Sequence, residues 1–268
     1  MRSFLQPFQS LRLLWVFFRI SLLNEAAYRA NFFMQVLQSL INLATSLVLL
    51  LTIFSYTSAL NGWRPAELLA LVGVYFLMGG LMNVVLQPSM SRFMKDIRMG
   101  TLDYTLTKPE DAQVLVSMQQ VEIWRLVDVL LGIVIIIVAM FWRGTIVNAW
   151  EILGFVATLI AGAMIIYSFL LVLATISFWY VKVDNILVIF QSMYEAGRWP
   201  VTIYPGWLRI ILTFIVPVAF AITVPASALV GQLTWYILLG AVILAIVALL
   251  GARSFWRIGL RHYTGASA

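Results

Sequence analysis

The sequence contains no cysteine, a single histidine and few charged side chains, and each shortage excludes a class of protein. Without cysteine there is no disulfide framework and no thiolate chemistry. His262 lies in a basic C-terminal segment and the 11 acidic residues are scattered, so no cluster of metal ligands is expected. The G-x-x-x-x-G-K-[ST], H-E-x-x-H and G-x-S-x-G motifs are also missing. We therefore expect no catalytic residue, no metal and no cofactor in this chain.

Apolar residues make up most of the sequence. The chain is 63% hydrophobic and 10% charged, with a mean hydropathy of +0.98, whereas soluble domains are about 45–50% apolar and about 25% charged. This composition predicts an integral membrane protein, and 268 residues accommodate about six helices of roughly 20 residues each. The high pI of 9.8 then reflects basic cytoplasmic loops rather than nucleic-acid binding.

Five apolar runs are long enough to span a membrane. They cover residues 32–55, 68–87, 123–142, 152–180 and 235–252. The segment 185–231 is less regular because Glu195, Arg198 and several prolines interrupt it. Its pattern fits either two spans or one span followed by a re-entrant pair of helices.

The distribution of Lys and Arg distinguishes these topologies, because short cytoplasmic loops carry the excess of positive charge. A seventh span would place the last three arginines of the tail outside. With six spans, both termini lie in the cytoplasm and only Arg64, Arg143, Arg198 and Arg209 face outward. The other 13 of the 17 basic residues lie inside: Arg2, Arg12, Arg19, Arg29, Arg92, Lys95, Arg98, Lys108, Arg125, Lys182, Arg253, Arg257 and Arg261.

The predicted fold is therefore an all-α integral membrane domain over residues 1–268, with six transmembrane helices. Residues 206–229 form two short helices that enter from the extracytoplasmic side and return at Pro217, because broken backbone at membrane depth must be buried in protein or line a wet cavity. Residues 1–30 form an interfacial amphipathic helix, since Arg12 and Arg19 share one helical face. An unstructured cytoplasmic tail is the alternative for this segment.

A polar stretch, residues 99–111, separates the second and third spans. The octet 91–98 before it predicts a short amphipathic helix, and Gly100 is a natural helix stop. Leu102 and Leu106 are spaced by four, Asp103 is a candidate cap, and Pro109 ends the turn. The pattern predicts a helical knob in the cytoplasm, with an ordinary solvated loop as the alternative.

Charges inside spans are expensive and are candidates for function. Glu122, Arg125 and Asp128 stand three apart at the inner end of the third span and predict an ion-pair network, with gating or contact with a partner subunit as alternatives. Glu195 and Arg198 lie one turn apart near mid-membrane and predict an ion pair, with a substrate or lipid headgroup contact as the alternative.

Several short motifs together resemble a known family. They are Gly-x-Leu-Asp-x-x-Leu-x-Lys-Pro over residues 100–109, Arg198-Trp-Pro, Tyr204-Pro-Gly-Trp-Leu and Pro217 before the last span. With six spans and an interfacial N-terminal helix, they resemble the type-2 membrane subunits of ABC exporters, in the branch of uncharacterised ABC-2 type permeases.

The resemblance implies a fold, a partner and a location. It implies that segment 95–109, within a cytoplasmic coupling region over residues 88–115, docks a separate ATPase subunit, and that a second permease subunit, identical or homologous, completes the path. It implies export of a substrate from the cytoplasm across a bacterial inner membrane. The abundance of aromatic residues favours an amphipathic, drug-like or lipid-like substrate, with a polysaccharide as the alternative. The implied docking residues are Arg98, Gly100, Leu102, Asp103, Tyr104, Leu106 and Lys108, with the three apolar side chains as anchors and the three charges as a polar rim.

A secondary transporter not driven by ATP is the alternative function. Such carriers show paired broken helices in corresponding halves of the chain. Here the broken segment occurs once, near the C-terminus, which favours the ABC permease.

Overall fold

The structure is a computed structural model, and it describes residues 29–263 except Ile146, Val181, Lys182 and Asp184. The interfacial helix predicted for residues 1–30 lies outside the described residues, apart from its last two positions.

The described residues form helices joined by short connections, as an all-α membrane protein requires. In chain order the helices are α1 (Arg29–Tyr56), α2 (Pro65–Met99), α3 (Asp103–Leu106), α4 (Ala112–Met118), α5 (Ile123–Arg143), α6 (Ala149–Phe178), α7 (Ile186–Glu195), α8 (Gly206–Ile215), α9 (Ala219–Leu229) and α10 (Trp235–His262). Five of them, α1, α2, α5, α6 and α10, are long and apolar enough to cross a membrane. These five match the predicted apolar runs.

Helix α2 forms the centre of the bundle and is the longest element at 35 residues. In its most apolar window 83% of the residues are buried, whereas α1, α5 and α10 have 17% buried. The octet 91–98 was expected to form a separate helix. It instead forms the last turns of α2, which continues through a π-helical turn at Met82–Leu86.

Three glycines allow α2 and α5 to pack closely in antiparallel directions. A Cβ atom on Gly73 would lie 2.7 Å from Ile136 Cγ1, and one on Gly80 would lie 2.7 Å from the Val129 nitrogen. A Cβ on Gly132 would lie 2.7 Å from Leu77 Cα. Small residues permit such close backbone approach between membrane helices.

The order of these contacts defines the two ends of the bundle. The segment 100–122, which joins α2 to α5, lies at one end, which we call the connector end. The loops 57–64 and 144–148 lie at the other, which we call the opposite end. Helix α10 runs in the same direction as α6, since Gly259 near its end packs on Thr175 and Phe178 near the end of α6. The segment 179–234 must therefore cross the bundle an odd number of times.

Contacts along this segment show its path. Helix α7 has only ten residues and is followed by 3₁₀ turns at Ala196–Arg198 and Val201–Ile203. At Thr202 the chain has reached the opposite end, where the Asn61 side chain donates to the Thr202 carbonyl at 2.5 Å. The Arg143 guanidinium donates to the carbonyls of Leu229 and Val230 at 3.1 and 2.9 Å. Residues 202–230 therefore begin and end at the same end.

Between these contacts, α8 and α9 are bent by 79° about a break of three residues. A Cβ on Gly162 would lie 2.6 Å from the Phe220 carbonyl oxygen, and Gly162 is 13 residues along α6, or about 20 Å from its start. The bent pair thus reaches well into the bundle. The described residues contain five candidate spans, or six if this pair is counted as one.

Candidate functional site

The end of α2 at Gly100 is built as a Schellman motif. Gly100 has φ of 67° and its N–H donates to the Ile97 carbonyl at 3.1 Å, while the Thr101 N–H donates to the Asp96 carbonyl at 2.9 Å. The buried Asp96 carboxylate also accepts from Thr101 Oγ1 and Arg92 Nε, each at 3.1 Å. The predicted helix stop at Gly100 is confirmed.

The knob, residues 100–109, projects from this stop and contains the short helix α3. Asp103 was expected to cap it. It is instead the first helical residue, Leu102 occupies the cap position, and no side chain caps the turn. The reason is that the Thr101 and Leu102 carbonyls already accept the N–H groups of Tyr104 and Thr105.

The three apolar side chains of the knob differ in exposure. Leu102 is completely buried within the chain and Leu106 packs partly against the same core, whereas Tyr104 is 77% exposed. Leu102 was expected to be an exposed anchor, but its burial leaves it no surface for a partner, and it fastens the knob to the bundle instead. Tyr104 in the knob and Met99 at the end of α2, which is 61% exposed, are the large apolar side chains exposed here.

An aromatic cluster forms the base under the knob. Phe93 lies 5.1 Å from Trp256 and 5.5 Å from Phe178 between ring centroids, and Phe178 lies 5.8 Å from Tyr263. Burial raises the pKa of Tyr263, and the nearby Asp103 carboxylate raises it further. Asp103 therefore faces the end of α10 rather than only the rim of the knob.

Residues 120–122, which lead into α5, are held to α2 by two hydrogen bonds. Pro88 has no N–H, so the Val84 carbonyl has no helical partner four residues on. It accepts the Glu122 N–H at 2.8 Å. Ser89 Oγ also donates to the Gln120 carbonyl at 2.9 Å. Both contacts fix the start of α5 beside α2.

A side-chain network joins this region to α6 and α10, and the sequence analysis missed it. Arg253 donates to Asp111 Oδ2 at 2.8 Å and to Gln113 Oε1 at 3.1 Å. Gln113 Nε2 donates to the Tyr167 hydroxyl at 3.0 Å, which Ser117 Oγ also contacts at 3.0 Å. Asp111 in addition caps α4 through the Gln113 N–H at 2.9 Å. The network connects the region just after the knob to two candidate spans.

The charge of Asp111 is stable at neutral pH. Partial burial raises the pKa of this carboxyl, but the hydrogen bond and charge of Arg253 and two backbone N–H groups together lower it below its ordinary value of 3.8. A lowered carboxyl pKa stabilises the folded state above the unfolded value, and this contribution is lost as the pH falls through the folded value. The charged contact with Arg253 is therefore lost only as the pH falls through the lowered pKa of Asp111.

Removing Arg253 should loosen α4 without unfolding the protein. In Arg253→Gln we expect the amide hydrogens of α4 to exchange faster, while the free energy of unfolding falls by about 1 kcal/mol or less, as is usual for a half-exposed ion pair. Arg257→Gln, one turn further along α10 and exposed, is the matched control. Equal exchange in α4 for both variants would contradict a role for this network.

The structure brings Glu122, Arg125 and Asp128 together. Arg125 Nε lies 3.5 Å from Glu122 Oε2, and Arg125 NH1 lies 4.0 Å from Asp128 Oδ2. All three side chains are partly buried. Arg125 thus stands between two carboxylates at the start of α5, as the spacing predicts.

The predicted ion pair between Glu195 and Arg198 is wrong. Among the described residues the two side chains form no ion pair, and the Arg198 guanidinium instead lies 5.2 Å from the centre of the Tyr75 ring. Guanidinium groups stack well on aromatic faces because they are planar and weakly hydrated. Glu195 is exposed, and the hydroxyl of its buried neighbour Tyr194 donates to the Tyr75 carbonyl at 3.0 Å.

Arg198 is therefore expected to depend on an aromatic ring and not on Glu195. Tyr75→Phe should keep the yield of folded protein near wild type, whereas Tyr75→Leu and Arg198→Gln should lower it several-fold, measured by fluorescence-detected size exclusion. Adding Glu195→Gln to Arg198→Gln should not restore the yield. Recovery in the double variant would instead show that the two charges neutralise each other.

The described residues contain no group of three or more His, Asp or Glu side chains that could hold a metal ion. The region combines an exposed knob, the buried Leu102 that packs the knob against the bundle, and a side-chain network that reaches α6 and α10.

Comparison with known proteins gives a family. Residues 40–267 match the model of a family described as ABC-2 family transporter protein. Neither the comparison with curated proteins nor that with solved structures gives a match. The family match covers most of the chain and agrees with its apolar helices, so the chain belongs to the ABC-2 family of transporter proteins and is a multi-pass membrane permease of that family.

Proposed function

We propose that the chain is the membrane-spanning subunit of an ATP-driven exporter and that its knob docks a separate ATPase subunit. The observation that carries this proposal is the knob itself. A helix of 35 residues is about 50 Å long, which exceeds the roughly 30 Å hydrocarbon core of a bilayer. The knob follows the end of this helix, where Tyr104 is exposed and the buried Leu102 packs the knob against the bundle.

Charge supports a cytoplasmic position for the connector end. The described basic residues at or near the opposite end are Arg64, Arg143, Arg198 and Arg209. Those at the connector end are Arg29, Arg92, Lys95, Arg98, Lys108, Arg125, Arg253, Arg257 and Arg261. Under the positive-inside rule this asymmetry places the connector end in the cytoplasm of a bacterial cell, with both termini on that side.

The path of residues 179–234 supports six crossings with one re-entrant pair. The segment from α7 to Thr202 makes the fifth crossing, and α8 and α9 enter and leave from the opposite end, where Asn61 and Arg143 hold their flanks. Irregular backbone at this depth is tolerated because it is buried against α6.

Cysteine labelling in intact cells tests this topology without background, since the chain has no cysteine. Ser58→Cys and Gly206→Cys should react with an impermeant maleimide, and His262→Cys should react only after lysis. Ser58 is preferred to the nearby Asn61 as the outer probe because the Asn61 side chain donates a hydrogen bond to the Thr202 carbonyl. Labelling of His262→Cys in intact cells would contradict six crossings.

A charged side chain that is exposed at membrane depth supports a second permease subunit. Glu195 is exposed, and Val188 and Ile189 on the same helix are 61% and 59% exposed. An uncompensated carboxylate is costly in lipid, so we propose that an identical or homologous subunit, or the substrate path between two subunits, covers this side of α7. The cargo we propose is amphipathic.

Purification of the full-length chain from its native membranes tests the function. We expect a protein that contains a G-x-x-x-x-G-K-[ST] loop to co-purify, and the purified complex to hydrolyse ATP. A preparation that transports only with a proton gradient and brings no ATPase would favour the secondary transporter.

A further inference from the structure

A polar cavity of about 540 Å³ lies beside α2, and the coupling proposal does not use it. Its walls come from the second half of α2, the segment before α5 and helix α7. Arg92, Lys95 and Arg125 line it together with a single carboxylate, Glu122. Arg92 pairs with Asp96, and Arg125 pairs with Glu122 and Asp128, so Lys95 supplies the unpaired positive charge of the cavity. Lys95 forms no ion pair with the described part of the chain.

The cavity also contains polar atoms that lack partners. Gln87 Oε1 and Gln191 Oε1 are buried and make no hydrogen bond to the described residues, and buried Arg125 Nε has only its ion-pair contact with Glu122 at 3.5 Å. Buried polar atoms are nearly always satisfied, and an unsatisfied one points to water, an ion or a ligand. Two of these atoms are acceptors, so a ligand that satisfies them must offer O–H or N–H groups.

The position of the cavity suits the headgroup of a lipid, given the membrane placement proposed above. Asn83 and Lys95 mark its ends along α2, about 27 and 45 Å from Pro65. A hydrocarbon core of roughly 30 Å that begins near Pro65 would end close to Asn83. The cavity thus extends from the membrane boundary into the cytoplasmic headgroup region.

Apolar surface lies beside it on the membrane side. Leu81 on α2 is 41% exposed and lies two residues from Asn83, which lines the cavity. An acyl chain can lie against Leu81 while the headgroup fills the cavity.

We propose that this cavity binds the headgroup of an anionic, hydroxyl-bearing phospholipid of the cytoplasmic leaflet. The phosphate lies near Lys95, Arg92 and Arg125, and the headgroup hydroxyls donate to Gln87 Oε1 and Gln191 Oε1. Charge-assisted hydrogen bonds to phosphate are the strong contacts of such a site. The carboxylate of Glu122 favours a headgroup that also carries donors over a bare phosphate.

Lipid titration of the detergent-purified full-length chain, followed by native mass spectrometry, tests the proposal. The probes are dioleoyl phosphatidylglycerol and dioleoyl phosphatidylcholine, which share acyl chains and phosphate. Phosphatidylcholine has no net charge and no O–H or N–H donor. We expect phosphatidylglycerol to bind at least about tenfold more tightly, which corresponds to one charged contact. Equal binding of the two lipids would overturn the proposal.

Two variants locate the binding. Lys95→Glu should weaken phosphatidylglycerol binding about tenfold, and Gln191→Leu should weaken it less but in the same direction. Lys108→Glu makes the same charge change on the knob, outside the cavity, and should bind like wild type. Unchanged binding in Lys95→Glu and Gln191→Leu, or an equal loss in Lys108→Glu, would show that the lipid binds elsewhere.

The free headgroup distinguishes a lipid site from a site for a soluble phosphate ester. Glycerol 3-phosphate should displace phosphatidylglycerol only at far higher concentration, because it lacks the acyl chains. Displacement at equal concentration would overturn the assignment to a lipid. The titration contains neither ATPase nor nucleotide, so its failure would leave the coupling proposal standing, and a failure of ATPase docking would leave lipid binding unchanged.

Discussion

Tyr104→Asp is expected to release the ATPase subunit from a permease that remains folded and inserted. Tyr104 is the most exposed aromatic residue of the knob, and a few aromatic anchors usually carry most of the binding energy of an interface, with truncation costing about 2 kcal/mol or more. A buried carboxylate adds an uncompensated desolvation cost. We expect at least about a thirtyfold loss of ATPase retention and no measurable transport.

The matched control for this change is Tyr56→Asp. Tyr56 is 88% exposed at the end of α1, on the opposite end of the bundle, so the same substitution there should leave ATPase retention unchanged. Both variants should elute as the wild type does in size exclusion, because neither side chain packs in the core. Wild-type retention in Tyr104→Asp would show that the knob is only a connection between two spans.

Gly132→Val should abolish the accumulation of folded protein. Its Cβ would overlap the backbone of Leu77 on α2, and backbone cannot move aside as a flexible side chain can. Overpacking typically costs 1–3 kcal/mol, and here it separates α5 from the helix that forms the centre of the bundle. The measurement is the yield of monodisperse protein in detergent.

Gly240→Val provides the control for helix propensity and β-branching. Gly240 lies within α10 and a Cβ there would meet no atom within 4 Å, so this variant should accumulate like the wild type. Equal yields from the two variants would show that α2 and α5 do not rely on this close approach.

Some of the architecture could be predicted because it is local. Apolar runs of about 20 residues identify spans by themselves, and all five clear runs appear as helices. The stop at Gly100 was also predictable, since only glycine adopts a positive φ at low cost. The capping role predicted for Asp103 was wrong, because backbone carbonyls already accept the N–H groups of the turn.

Other features depend on tertiary contacts that spacing does not reveal. Arg253 and Asp111 are 142 residues apart, and nothing in either segment indicates the other. The ion pair of Glu195 and Arg198 followed from their one-turn spacing, yet Tyr75 on another helix attracts the guanidinium. The prediction that Leu102 is an exposed anchor failed for the same reason. From sequence alone, an apolar residue that is buried within its own chain cannot be distinguished from one that is buried against a partner. Pro88 was the one overlooked local clue, because its missing N–H leaves the Val84 carbonyl for Glu122.

Photocrosslinking from position 104 tests the central claim most directly. A photoreactive amino acid replaces Tyr104 in one variant and Tyr56 in another, and each is expressed in its native host and irradiated in intact membranes. The proposed docking predicts that position 104 crosslinks to a protein with a G-x-x-x-x-G-K-[ST] nucleotide-binding loop and that position 56 does not. No such crosslink from position 104, or equal crosslinking from both positions, would contradict it.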